Sequence, residues 1–196
     1  MKEDLLYKLL RPIVKILVRV IYNPKIIGKE NIPESGRIIL AGNHTHYFDC
    51  LLLMSSTKRQ VHFLAKKELL EGPKGLFFSQ FGLIPVDRKN KDHNALSLSY
   101  DYLNNDKIIG IFPEGTIGRN GILPFKMGAV KMANKTNSKI IPFVITGKYK
   151  PFKNKLTIEF KKQVEISDDL EKENDKLRNI IIDTINKKEM IKDEKK

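Results

Sequence analysis

The stretch RIILAGNHTHYFD, residues 37–49, decides how this chain is read. Arg37–Ala41 ends in four consecutive apolar residues, short enough for a strand covered on both faces. Gly42 and Asn43 interrupt the run with turn chemistry, and an apolar stretch over about 47–56 then has helical length. A strand feeding a helix through a short turn is the repeating unit of α/β folds. The unit recurs outward along the chain. Further strands are predicted at Val61–Leu64, Leu83–Val86, Lys107–Phe112, Ile140–Ile145 and Leu156–Phe160, with helices at about 73–80, 91–104, 125–135 and 174–187. The expected fold is a single α/β domain with a mixed, mostly parallel central sheet flanked by helices. Its 196 residues suffice for one sizeable core. The acyclic pattern has no long repeat of a solenoid.

Upstream of this domain the chain is of a different kind. Lys8, Arg11, Lys15 and Arg19 recur at three- and four-residue spacing, which lines one helical face. Leu5, Leu9, Ile13, Ile16, Leu17 and Val20 are among the apolar residues that fill the rest. The sequence predicts basic amphipathic, membrane-associating helices over residues 1–24, with Pro12 breaking or kinking them. The apolar run is too short to span a bilayer, and a signal peptide's cleavage site is missing. The domain proper is expected over 25–187, and 188–196 reads as a charged tail.

The formal charge is +13, and it is unevenly placed: residues 1–162 carry +15 and residues 163–196 carry −2. A basic field on the body of a domain suits an anionic partner such as an anionic membrane, a phosphorylated substrate, an acidic protein or nucleic acid. A nucleic-acid-binding domain accounts for the charge but leaves the polar turns described next unexplained, and binding-module signatures are missing. The single cysteine, Cys50, excludes an internal disulfide framework.

Four strand-end blocks carry the chemistry. His44 and Asp49 form a His-x4-Asp pair after the first strand. A carboxylate in reach of an imidazole fixes its tautomer and stabilises the imidazolium, which makes His44 a natural general base. Five positions along a regular helix are rotated by roughly 140°, so the pair meets only if His44 sits in the turn before the helix. His44, His46 and Asp49 are also metal-ligand types, but a dinuclear hydrolase site needs more ligands than four histidines at this spacing provide; no metal is expected. Cys50 reads as a small buried neighbour, not a nucleophile. Arg88 follows the strand Leu83–Val86 and has the guanidinium geometry that holds phosphate bidentately. Phe112-Pro113-Glu114-Gly115-Thr116 closes the next strand, where Glu114 can accept hydrogen bonds from hydroxyls and Gly115 permits close backbone approach. Phe125-Lys126-Met127-Gly128-Ala129 and the apolar run Ile140–Val144 complete the series.

In this order, N-H-x4-D, G-x-I-P-V-D-R, F-P-E-G-T and F-K-x-G-A resemble the blocks of the 1-acylglycerol-3-phosphate (lysophosphatidate) acyltransferase family, over residues 26–146. The resemblance implies transfer of a fatty acyl group from an acyl thioester to the sn-2 hydroxyl of 1-acylglycerol-3-phosphate, giving phosphatidic acid. His44 then acts as base and Asp49 orients it. Arg88 lies in the block that binds the acceptor phosphate, and Glu114, Gly115 and Thr116 match the acceptor-binding block. Lys66, within Ala65-Lys66-Lys67-Glu68-Leu69, matches the segment preceding the second block and faces the cleft. The third block usually continues with Arg-Ser; here Ile117 and Gly118 stand there, and Arg119 or Lys126 is left to supply the cation. The implied donor is acyl-CoA or acyl carrier protein, with no further cofactor. The expected site is the cytoplasmic face of a membrane, held peripherally through Lys8, Arg11, Lys15 and Arg19. A sister acyltransferase with another hydroxyl acceptor fits the same blocks.

Overall fold

The computed structural model describes residues 5–72, 75, 81–87, 93–118 and 121–193. Seven strands form one sheet in the order β1-β7-β6-β2-β5-β3-β4. They are β1 Lys25–Ile27, β2 Ile38–Gly42, β3 Val61–Lys66, β4 Ile84–Val86, β5 Ile108–Ile111, β6 Lys139–Thr146 and β7 Thr157–Phe160. Only β6 and β7 pair antiparallel; the other neighbours are parallel. The mixed, mostly parallel sheet is the one expected. The helices are α1 Leu5–Tyr22, α2 Asp49–Ser56, α3 His93–Asn104, α4 Gly128–Thr136 and α5 Leu170–Asp193. The helix expected over 73–80 lies almost wholly outside the described residues.

β2 is the centre of the sheet and is buried along its whole length. Its side chains alternate between two cores, as the pleat requires. Ile39 and Ala41 join Ile109, Leu103, Met132 and Leu177 on the side of α3, α4 and α5. Ile38 and Leu40 join Val18, Leu52, Leu53 and Phe143 on the side of α1 and α2. The connections explain this split. From β2 the chain crosses β5 to reach β3, and from β5 it crosses β2 to reach β6. Right-handed crossovers in opposite directions put α2 and α4 on opposite faces of the sheet. The crevice where the two connections diverge, above the carboxyl ends of β2 and β5, is where α/β sheets place their ligand sites.

Three elements depart from the sequence reading. The N-terminal segment is one continuous helix through Pro12, whose ring lies on the exposed side, where water can take the carbonyl hydrogen bond that proline cannot donate. This helix is also part of the domain. Tyr7 and Val18 are buried, the Tyr7 hydroxyl accepts the Val61 N–H at 3.3 Å, and Arg11 turns inward so that its guanidinium donates to the Thr57 carbonyl. Arg11 therefore leaves the outward basic row, which consists of Lys8, Lys15 and Arg19. The last helix begins at Leu170, where the Asp169 carboxylate accepts the Lys172 N–H at 3.2 Å, and runs to Asp193. Lys188, read as the start of a tail, is instead fixed at 2.7 Å to Glu159 of β7. Finally, the edge strand β1 was not foreseen; it exists by pairing Lys25–Ile27 with Thr157–Glu159.

Candidate active site

His44 stands in the turn between β2 and α2, as the pairing geometry required. Asn43 anchors that turn. Its side chain is 2% exposed, donates to the Ile145 carbonyl at 2.9 Å and accepts the Ile145 N–H at 2.8 Å, continuing the β2–β6 ladder with a side chain. Gly42 is obligatory just before it, because a Cβ there would sit 2.4 Å from the Phe143 ring and carbonyl oxygen.

Asp49 opens α2 and is completely buried. Its Oδ2 takes the Thr45 N–H at 2.6 Å, the His46 N–H at 2.8 Å and His44 Nδ1 at 2.8 Å. Its Oδ1 takes the Thr45 hydroxyl at 3.1 Å and the Tyr149 hydroxyl at 2.6 Å. The two amides fold the turn around the carboxylate, and the positive end of α2 favours the negative charge there. Nδ1 of His44 thus carries its proton toward Asp49, and Nε2 on the opposite edge is the basic nitrogen. The imidazole lies flat on Phe112, with ring centroids 4.1 Å apart and planes at 18°, which fixes its orientation. Burial and then the Asp49 charge raise Tyr149 well above the usual phenol range, so its hydroxyl remains a donor. The same two causes push the Cys50 thiol up to about 12, which leaves it un-ionised at neutral pH and unsuited to attack.

Around His44 opens a cleft of about 630 Å³, lined among others by Lys66, Phe112, Gly115, Thr116 and Lys126. The structure thereby brings His44, Lys66, Gly115, Thr116 and Lys126 together. Gly115 has φ +70°, and a Cβ on it would lie 2.9 Å from Lys126 Nζ, so the absence of a side chain makes room for the ammonium. Its own N–H is engaged by the Phe112 carbonyl at 2.9 Å and is not available to an oxyanion. Glu114 stands behind the base. It is 4% exposed and lines, with His44 and Thr45, an adjoining opening and not this cleft. Oε1 accepts the His44 N–H at 2.9 Å and Oε2 accepts the Leu123 N–H at 2.9 Å, so it holds the backbone under the base to the loop before α4. The departure at Gly118 follows from this: a Cβ there would meet Glu114 Oε2 at 2.7 Å and the Gly121 carbonyl at 2.6 Å, while its N–H donates to the His44 carbonyl at 2.9 Å. Arg88 and Arg119 lie outside the described residues.

Sequence reasoning missed Asn43, Phe112 and Tyr149 as parts of this site. Asn43 alone had a signal, a buried-type polar residue directly at a strand end. His46, which had no assigned purpose, stacks on Tyr149 at 4.6 Å and accepts the Phe48 N–H at 3.2 Å through Nδ1, packing the turn from outside.

A family model described as Acyltransferase matches residues 23–146, which contain every element of this cleft. The chain belongs to the acyltransferase family. This acyltransferase is 29% identical over 144 residues to the 1-acyl-sn-glycerol-3-phosphate acyltransferase of Bacillus subtilis (strain 168), covering 72% of each protein. It is 34% identical over 127 residues to the Helicobacter pylori (strain J99) enzyme of the same name, covering 62% of this chain and 54% of that one. The fold matches the crystal structure of the 1-acyl-sn-glycerophosphate acyltransferase of Thermotoga maritima with a TM-score of 0.76 at 21% identity, covering 93% of this acyltransferase and 79% of that chain.

Proposed function

We propose that this acyltransferase moves a fatty acyl group from an acyl thioester to the sn-2 hydroxyl of 1-acylglycerol-3-phosphate, giving phosphatidic acid. The observation that carries the reading is the His44–Asp49 pair at 2.8 Å, facing a cleft that is also lined by Lys66 and Lys126. The acceptor hydroxyl is too weak an acid to ionise at neutral pH. Nε2 of His44 takes its proton as the oxygen bonds to the thioester carbon. Asp49 stabilises the imidazolium formed, and the Lys66 ammonium stabilises the oxyanion. The C–S bond then breaks, and the imidazolium returns its proton to the departing thiolate. The donor is an acyl-CoA or an acyl carrier protein thioester; its anionic character suits the basic body of the domain.

Lys126 and Arg88 anchor the acceptor phosphate in this reading. The test compares kcat/KM for 1-acylglycerol-3-phosphate and for 1-acylglycerol, which lacks the phosphate. The wild-type chain is expected to prefer the phosphorylated acceptor. Lys126→Ala and Arg88→Ala are each expected to reduce that preference by roughly 10–100-fold, the loss of a charge-assisted contact. Equal turnover of both acceptors by the wild-type chain, or an unchanged preference in both variants, contradicts the assignment.

The same reading places the enzyme peripherally on the cytoplasmic face of an anionic membrane. Among the described residues no helix is long and apolar enough to cross a membrane. What supports interfacial attachment is the outward face of α1: Leu5, Leu9, Ile13, Ile16, Leu17 and Val20 are each more than half exposed, beside Lys8, Lys15 and Arg19. Removing α1 would also remove Tyr7 and Val18 from the core, so point changes are the cleaner probe. Ile16→Gln combined with Val20→Gln is expected to lower sedimentation with phosphatidylglycerol vesicles about tenfold or more, from the lost apolar area, and to leave turnover of detergent-dispersed short-chain acceptor unchanged. Undiminished vesicle binding would assign this face to another role.

A further inference from the structure

Of the residues joining β6 to β7, Gly147-Lys148-Tyr149-Lys150-Pro151-Phe152-Lys153-Asn154-Lys155 form an exposed loop before the buried Leu156; they lie beyond the segment matched to the family and have no part in the chemistry except through Tyr149. Four are lysines, and no acidic residue occurs from Gly147 to Ile158. The loop is built, not slack. Gly147 has φ +93°, and a Cβ on it would lie 1.7 Å from the Lys155 carbonyl oxygen, so the two ends of the loop close tightly against each other. The Tyr149 ring packs edge-on against Tyr22 at 5.4 Å, and the Phe152 N–H donates to the Ile21 carbonyl at 2.7 Å. Both contacts tie the loop to the carboxyl end of α1.

Phe152 is the unusual feature. Its φ is +58°, a conformation that glycine or asparagine adopts far more readily, and its side chain is 73% exposed. The fold therefore holds an aromatic ring in water at a backbone position where a smaller residue would fold with less strain. Packing gives no reason for that choice; an apolar medium outside the protein does. All four lysines that flank the ring are exposed as well. An aromatic tip ringed by lysines is complementary to the boundary of an anionic bilayer, where the ring enters the headgroup layer and the ammonium groups meet lipid phosphate.

We propose that the 147–155 loop is a second membrane-contact element, in which Phe152 inserts among the headgroups of anionic lipid and Lys148, Lys150, Lys153 and Lys155 bind their phosphates. The inference rests on the interfacial attachment through α1 given above, to whose carboxyl end the loop is bonded at Ile21 and packed at Tyr22. A bilayer is favoured over a nucleic acid or an acidic protein because the adjoining surface on α1 is aliphatic, which suits acyl chains and not bases or carboxylates.

The chain contains no tryptophan, so Phe152→Trp and, separately, Leu17→Trp each introduce a sole reporter, in the loop and in α1. Each full-length variant is titrated with vesicles of equal parts phosphatidylcholine and phosphatidylglycerol, and with vesicles whose acyl chains carry bromine. Both emissions are expected to move to the blue and to be quenched by bromine, and both responses should weaken with salt. Lys150→Gln combined with Lys153→Gln is expected to lower affinity for these vesicles by roughly tenfold or more, with little change on pure phosphatidylcholine. If Leu17→Trp responds and Phe152→Trp stays at its aqueous emission, the loop is not at the membrane and the proposal fails while the role of α1 stands. If neither responds, both fail. A Phe152→Trp response to acyl carrier protein or single-stranded DNA under conditions where vesicles leave it unmoved also overturns the proposal.

Discussion

His44→Ala is expected to lower kcat for acyl transfer by about 10³-fold or more, with KM for the acceptor changed little. General-base contributions of positioned side chains are typically 10²–10⁴-fold. Here the substitution also removes the group whose imidazolium returns a proton to the leaving thiolate, so both halves of the reaction suffer. The fold should survive. His44 is partly exposed; alanine loses the contacts to Asp49 and Phe112, but the backbone N–H to Glu114 and carbonyl to Gly118 persist and Asp49 keeps four of its five donors. Steady-state kinetics beside a urea unfolding curve checks this. A variant that keeps a tenth of the wild-type rate would remove His44 from the mechanism.

Asp49→Asn is expected to be nearly as severe and to differ in kind. The carboxylate accepts from five groups, and an amide can accept on one oxygen only. The asparagine NH2 either faces the His44 Nδ1 and two backbone N–H donors on one side, or the Tyr149 and Thr45 hydroxyls on the other, which can turn to accept from it but leave no negative charge beside the imidazolium. With the NH2 on the Oδ2 side, His44 must give up its proton at Nδ1 and hold it at Nε2, where it is useless as a base. We expect kcat to fall by about 10²–10⁴-fold. Replacing the carboxylate at which five donors point should also lower stability by about 1–3 kcal/mol, more than His44→Ala, which removes one of those donors. The two losses can be separated: kcat measured well below the unfolding midpoint reports the tautomer, and the urea midpoint reports the mispaired turn. Wild-type stability together with wild-type rate would show that the carboxylate does not organise the turn.

The architecture was legible because it rests on local pattern. β2, β5 and β6 are built on near-continuous apolar runs, and β3 is apolar apart from His62 and its terminal Lys66, which is how buried parallel strands read. The His-x4-Asp pair was legible for the same reason: its geometry closes within one turn. What could not be read depends on chain segments far apart. Tyr149 reaches Asp49 across a hundred positions and no spacing rule links them. Glu114 reads as a ligand for substrate hydroxyls; its part as a support for the His44 backbone depends on the folding back of the loop to Leu123 and has no signal in the sequence. β1 has three residues and becomes a strand through its partner β7, not through its own composition. Arg11 fits the basic row by spacing, yet the Thr57 carbonyl lies within its reach and draws it inward. The helix predicted over about 125–135 starts at Gly128; the Lys126 N–H bonds the Pro113 carbonyl at 2.9 Å, which ties the irregular segment before the helix to the turn after β5 and leaves the Lys126 ammonium against Gly115.

The most direct measurement is the fate of a labelled acyl group. The full-length chain is incubated with an acyl thioester labelled in its carbonyl carbon and an excess of 1-acylglycerol-3-phosphate, and the products are resolved by mass. The expected product is phosphatidic acid labelled at the sn-2 ester, with one free thiol formed per ester and none of either in His44→Ala. Label recovered as free fatty acid with the acceptor untouched, or label held on the protein as a stable acyl ester, would contradict direct transfer to the lipid hydroxyl by His44.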